Sequence, residues 1–206
     1  MKPTFVEFSK PILERMAYLE ERDASDRKDG TPHLKRLRQI PPQTGMLLAL
    51  LAASAPHGPV VEIGTSGGYS SLWLAQACRQ RGDKLTTYEL LPEKVDLARE
   101  TFAEAHIEDR VDLVHGDARS KLRDYEEIAF CFLDAEKEMY AEFYDLVVPR
   151  LLPGGILVVD NVISHQADLQ SFVDKARKDK AIDALVLRVG LGLLVCIKLD
   201  RRWPNR

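Results

Sequence analysis

The chain has 206 residues, 45% hydrophobic and 30% charged, with a formal net charge of -3. This composition suits a globular α/β domain with a sizeable core and argues against a dedicated nucleic-acid binder, though it leaves room for a local basic patch. The first twenty residues lack the apolar core of a signal peptide, and the longest apolar run, Met46 to Ala53, is too short to span a bilayer. Both point to a cytoplasmic protein with no membrane partner, and Cys78, Cys131 and Cys196, widely spaced, are expected to be buried thiols.

In chain order, residues 5–21 read as an amphipathic helix and Glu20 to Gly30 as a charged loop, followed by a basic stretch with Lys35, Arg36 and Arg38. Pro41-Pro42 breaks the chain before a helix over 43–54. Strands at 59–63, 84–89, 110–115, 128–133 and 155–160 then alternate with helices at 69–81, 93–106, 118–124 and 138–151, the pattern of a doubly wound sheet. Pro92 stands at the start of its helix, where a missing N–H costs nothing. Ala184 to Leu199 is apolar and β-branched with Gly190 and Gly192 inside, which fits an antiparallel hairpin better than a helix.

Two strand ends carry oxygen ligands 26 residues apart, Asp134 after IAFCFL and Asp160-Asn161 after GGILVV. Between them Tyr140, Phe143, Tyr144, Val147, Val148 and Leu151 recur at helical spacing, and Pro153-Gly154-Gly155 closes the helix. Such a βαβ unit puts both carboxyl ends at one sheet edge, where open α/β sheets bind ligands. Two carboxylates and an amide there suit a hard divalent cation; for either strand alone, an acid that merely begins a loop is an equal alternative. Upstream, VVEIGTSGGYSSLWLAQA (60–77) is a strand, a glycine-rich turn and a helix, although its second glycine comes later than in G-x-G-x-x-G. Leu85 to Tyr88 ends in Glu89, where a ribose-binding carboxylate is expected, and Val111 to His115 ends in Gly116-Asp117-Ala118.

Together, Glu62-Ile-Gly64-Thr65, Tyr69-Ser70, Glu89, Gly116-Asp117-Ala118, Asp134-Ala-Glu-Lys137 and Asp160-Asn161 stand in the order and spacing of the cation-dependent O-methyltransferases. From about Ile40 to Lys198 the chain resembles the family that includes catechol and caffeoyl-coenzyme A O-methyltransferases and many bacterial relatives. The resemblance implies S-adenosylmethionine as methyl donor and a Rossmann-like class I methyltransferase fold, a mostly parallel seven-stranded sheet with a C-terminal antiparallel hairpin. It also implies a single domain over 1–206, with 41–200 as cofactor-binding core and 1–40 as a helical segment that could serve as lid or dimer contact. Carried over by position, Glu62, Gly64, Thr65 and Ser70 would line the methionine half of the cofactor, Glu89 would hold the ribose, and Asp117 and Ala118 would flank the adenine. Asp134, Asp160 and Asn161 would hold Mg2+ or Mn2+, with Ca2+ an alternative. Asp134 would also touch the cofactor and, with Lys137, form the catalytic pair. Glu136 departs from the Asp of many relatives.

Methyl transfer from a sulfonium needs an ionised oxygen held in line with the methyl group. Lys137, three residues beyond Asp134, is expected to act as general base, the bland alternative being a solvated lysine at a helix start. Glu89, as a loop carboxylate, is expected to bind the donor without supporting the fold, while Tyr140 and Trp73 read as packing and His165 as a loop histidine. The expected acceptor is a hydroxylated small molecule with vicinal oxygens, catechol-like or a caffeoyl-coenzyme A-like thioester. The alternative is hydroxyuridine in tRNA, which some bacterial relatives methylate, and a cofactor-binding scaffold without turnover comes third. A homodimer is expected from the resemblance and the amphipathic N-terminal helix.

Overall fold

The computed structural model describes residues 7–200. Seven strands form one sheet: β1 (Val60–Ile63), β2 (Leu85–Glu89), β3 (Val111–His115), β4 (Ile128–Leu133), β5 (Leu151–Val159), β6 (Ile182–Leu187) and β7 (Leu193–Lys198). They lie in the order β3-β2-β1-β4-β5-β7-β6. β1 to β5 pair in parallel, and β7 runs antiparallel to both β5 and β6, so the hairpin expected at the end of the chain is present. Strand order reverses between β1 and β4, which opens a crevice at their carboxyl ends.

The central strands are apolar on both faces because both faces are covered, and alternation sends successive side chains to different cores. Phe130 and Phe132 of β4 join one core with α1 (Lys10–Asp26), α2 (Pro42–Ser54), α3 (Tyr69–Arg81) and α4 (Pro92–Glu104). Cys131 and Leu133 join the other with α5 (Ala118–Leu122), α6 (Tyr140–Val147) and α7 (Gln166–Lys178). All three cysteines are buried and free. Among the described residues no helix is long and apolar enough to cross a membrane.

Two boundaries differ from the sequence expectation. The N-terminal helix was expected over 5–21, of which 5 and 6 lie outside the described residues; it runs through to Asp26, into the stretch expected as a loop. The charged stretch lacks a breaker before Gly30, and Asp23 and Arg27 pair one turn apart across the helix end. The helix expected over 138–151 is shorter. Pro149 lacks the N–H an interior helix needs, so α6 ends at Val147, a 3-10 turn covers Val148–Arg150, and Leu151 already pairs with Ile128 in the sheet. Pro153-Gly154-Gly155 therefore sits inside β5 rather than at a helix end, as a register shift between the pairs Ile128–Leu151 and Phe130–Ile156.

Candidate active site

A cavity of about 480 Å³ occupies the crevice, lined by the loops that leave β1 to β5. Gly64, Thr65, Ser70, Glu89, Asp117, Ala118, Asp134, Lys137 and Asn161 all line it. Glu62 and Asp160 do not; both are buried beneath it.

Gly64 has φ +98°, and a Cβ there would run into the carbonyl oxygen of Asp134. The glycine thus brings the ends of β1 and β4 together, a demand set by the protein's own backbone as much as by a ligand. Beneath it, Glu62 is 0% exposed; its carboxylate accepts from Ser71 Oγ and from Thr87 Oγ1 (2.6 Å), while Oε1 has no partner. Loss of hydration outweighs the hydroxyls around it and pushes this acid up to about 7. Thr65 Oγ1 lies 2.6 Å from Thr87 Oγ1, so one buried polar chain links the glycine turn to β2.

Glu89 is more than a loop acid. Its Oε2 accepts from Ser66 N (2.7 Å), and its Oε1 accepts from Leu90 N and Leu91 N (2.9 Å each). Three of a carboxylate's roughly four acceptor positions are thereby filled by backbone, with one left for a ligand hydroxyl. The expectation of a surface loop carboxylate is corrected, since Glu89 is 8% exposed and ties two loops together. Asp117 caps α5 by accepting from Arg119 N (2.9 Å) and takes both oxygens' bonds from the Arg119 guanidinium, which holds its carboxyl below the usual range.

On the other side of the switch point, Asp134 Oδ1 accepts from Lys137 Nζ at 3.1 Å. The same Nζ donates to Ala135 O (3.0 Å) and to Tyr140 Oη (2.8 Å), which accounts for all three N–H bonds of an ammonium. Tyr140, expected to begin the apolar stripe rather than face the site, is 0% exposed in the core as expected, and its hydroxyl also holds the lysine; its signal in the sequence is its place three residues after Lys137. Asn161 turns the chain out of β5 in the left-handed region (φ +67°), which asparagine tolerates better than most residues. Asp160 is 1% exposed, its Oδ1 has no partner, and Asn161 Nδ2 reaches its other oxygen only at 3.4 Å. Burial, then the charge of Asp134, pushes the Asp160 carboxyl up.

The donor set of Asp134, Asp160 and Asn161 fits a hard divalent cation: it offers only oxygen, and one of its buried carboxylate oxygens lacks any partner. Among the described residues no cluster of three His, Cys, Asp or Glu is arranged for a metal.

The roof comes from the segment between α1 and α2, part of the stretch expected as lid or dimer contact; which of its residues anchor it was not legible in the sequence. Buried Asp26 accepts from Leu37 N (3.1 Å), buried Asp23 accepts from Gln39 N (3.3 Å), and Ser66 Oγ donates to Leu37 O (2.9 Å). Arg38, between these anchors, has φ +50° and donates from Nη2 to Glu136 Oε1 at 2.6 Å. Partial burial pushes Glu136 up, but Arg38, with Lys137 and Lys94, outweighs it and holds the carboxyl below its usual range. Lys94 lines the cavity at 6% exposure, and burial pushes its ammonium down against the pull of Glu89. His165 also lines the cavity, whereas Trp73 packs edge-on against Phe8 with ring centroids 4.8 Å apart.

The sequence profile of an O-methyltransferase family matches residues 14–199. The chain is 36% identical over 123 residues to a catechol O-methyltransferase of Mycobacterium tuberculosis; the match covers 59% of this chain and 56% of that protein, little more than half its length. It is 31% identical over 167 residues to a catechol O-methyltransferase of Niastella koreensis, covering 73% of this chain and 75% of the other. In three dimensions it resembles an SAH-bound methyltransferase of Podospora anserina, with a TM-score of 0.77 and 23% identity over 94% of this chain and 89% of that one, a likeness of fold. The chain belongs to the O-methyltransferase family.

Proposed function

We propose that the protein transfers the methyl group of S-adenosylmethionine to one oxygen of a vicinal dihydroxy aromatic small molecule, with a divalent cation held by Asp134, Asp160 and Asn161. One observation carries this: oxygen donors and a lysine from the ends of β4 and β5 share a cavity with the glycine turn of β1 and the acid of β2. At about 480 Å³ the cavity is in the size range of small-ligand sites. Relatives named as catechol O-methyltransferases, and a structural neighbour bound to SAH, the product left by S-adenosylmethionine, support the choice of donor and acceptor.

The remaining acceptor position on Glu89 would take a ribose hydroxyl, and the turn from Gly64 to Ser70 would run along the methionine portion. When bound, the cation would lower the pKa of an acceptor hydroxyl and favour two adjacent oxygens over one. A lone pair of the acceptor oxygen forms the new C–O bond as the C–S bond of the sulfonium breaks, leaving SAH. Lys137, steadied by Tyr140 and Ala135, receives the acceptor proton at Nζ as the neutral amine, its ammonium having first released one proton to solvent and with it one of the three contacts. The anchored roof around Leu37 to Gln39 would limit the access of water to the reacting atoms.

The test is methyl transfer from labelled donor to a diphenol, to the matching monophenol and to undermodified tRNA, with and without exhaustive chelation. The diphenol should react far faster than the monophenol and lose its reaction on chelation, with recovery on adding Mg2+. Full turnover after chelation would remove the cation from the scheme, and labelled tRNA with inert diphenols would replace the acceptor.

A further inference from the structure

Two features of the sequence remain outside the proposed reaction: the basic run that ends at Arg38, and Glu136. The structure joins them across the cavity, Arg38 Nη2 to Glu136 Oε1 at 2.6 Å, with both side chains lining it. Arg38 sits at φ +50°, a conformation that non-glycine residues adopt only when neighbours impose it. The imposition is visible: the peptide units on either side are fastened to buried Asp26 and Asp23, and Leu37 O is fastened to Ser66. The backbone is thereby fixed, and the bond to Glu136 Oε1 holds the guanidinium over the cavity. Glu136 feels, after Arg38, the charges of Lys137 and Lys94, both of which also line the cavity. Three cations bear on one carboxylate, carried next to Lys137 and 41% exposed at its side chain.

We propose that Glu136 holds the place of a carboxylate on the acceptor, so that Arg38 exchanges one for the other and the enzyme prefers an acidic dihydroxy aromatic to its neutral counterpart. Such an exchange keeps the charge-assisted hydrogen bond of Arg38 and releases Glu136 towards solvent, to which it is already partly open. Arg38 offers a planar fork already held over the cavity, so little ordering remains to be done on binding. A neutral acceptor offers nothing in exchange and leaves the Arg38–Glu136 contact closed over the cavity. Leu34 and Leu191 line the same cavity and give an aromatic ring apolar surface.

This inference rests on the acceptor class proposed above, and the experiment separates the two. Steady-state methylation and calorimetric binding are measured for a dihydroxyphenyl carboxylic acid and its primary amide, on the wild-type chain, Arg38→Met, Arg38→Lys and Glu136→Gln. The wild type should favour the acid by about tenfold in kcat/KM, carried by KM, the scale of one charge-assisted hydrogen bond in a partly exposed site. Arg38→Met should erase the preference, Arg38→Lys should keep part of it, and Glu136→Gln should lower the KM of the acid but not of the amide. Equal KM values for acid and amide in the wild type overturn the proposal, as does a preference that survives Arg38→Met. Should Arg38→Met fail to fold, an acid KM unmoved by Glu136→Gln overturns it as well. If neither compound is methylated yet the acid binds tighter than the amide and loses that advantage in Arg38→Met, the acceptor class falls and the role of Arg38 stands.

Discussion

The two halves of the cavity are built on opposite principles. Around β1 to β3, Glu89 has three backbone N–H partners, Asp117 has a cap and a guanidinium, and Thr65 and Thr87 bond each other. Around β4 and β5, Asp160 Oδ1 has no partner, and Asn161 Nδ2 reaches its other oxygen only at 3.4 Å. A carboxylate already bonded to backbone is fixed in direction and stabilises the loops it joins. A buried carboxylate without a partner raises the free energy of the fold until something compensates it. The first half has these polar groups paired before binding, whereas the second keeps binding capacity at Asp160 at a cost in stability, as functional sites often do.

The strongest test of that contrast is Asp160→Asn. Turnover should fall by about a hundredfold or more, because several kcal/mol of charge stabilisation would go with the carboxylate. In chelator at about pH 8 the same variant should melt a few degrees higher, since a buried, repelled charge has been removed. A lower melting temperature would break the comparison.

Lys137→Met comes next. Loss of the base should reduce kcat by about a hundredfold to ten-thousandfold with little change in KM, because proton transfer belongs to the transition state. A raised KM at unchanged kcat would reassign the lysine to binding.

Glu62 is the exception within the donor half, because Oε1 lacks a partner there too. Its folded-state pKa, pushed up from 4.5 to about 7, means that the folded chain holds this proton more tightly than the unfolded chain. The stability it contributes is present below 4.5 and is lost as pH rises through about 7, an effect on the order of 3 kcal/mol. Glu62→Gln should flatten that part of the profile in urea unfolding at about pH 5 and about pH 8, leaving the same-signed contribution of Asp160. An unchanged slope would mean that Glu62 stays ionised through the window.

The smallest effect expected is that of Glu89→Ala. Donor affinity should drop by about tenfold and stability by about 1–3 kcal/mol together, because three N–H groups lose their acceptor. Calorimetry and thermal melts on one preparation check both, and weakened binding at full stability would return Glu89 to the status of a plain loop acid.

Much of this protein was legible in its sequence. Runs such as IAFCFL and GGILVV read as strands buried on both faces, and the helical segment between them makes the connection a crossover with a shared carboxyl edge. That brings Gly64, Glu89, Asp134 and Asn161 to one crevice, since topology alone places strand ends. Even the shortened α6 had its cause in plain view at Pro149.

Other features were decided only by tertiary structure. Whether a strand-end acid faces the cavity or lies beneath it depends on packing around its side chain, so Glu62 and Asp160 are buried where Glu89 and Asp134 line the site. Tyr140 became the support of Lys137 because the start of α6 folds back over Asp134. Arg38 met Glu136 across 98 positions of sequence because Asp23 and Asp26 anchor the roof's backbone. Local periodicity fixes which residues share a face, but pairs this far apart are chosen by the closed surface as a whole, where each buried donor must find its acceptor.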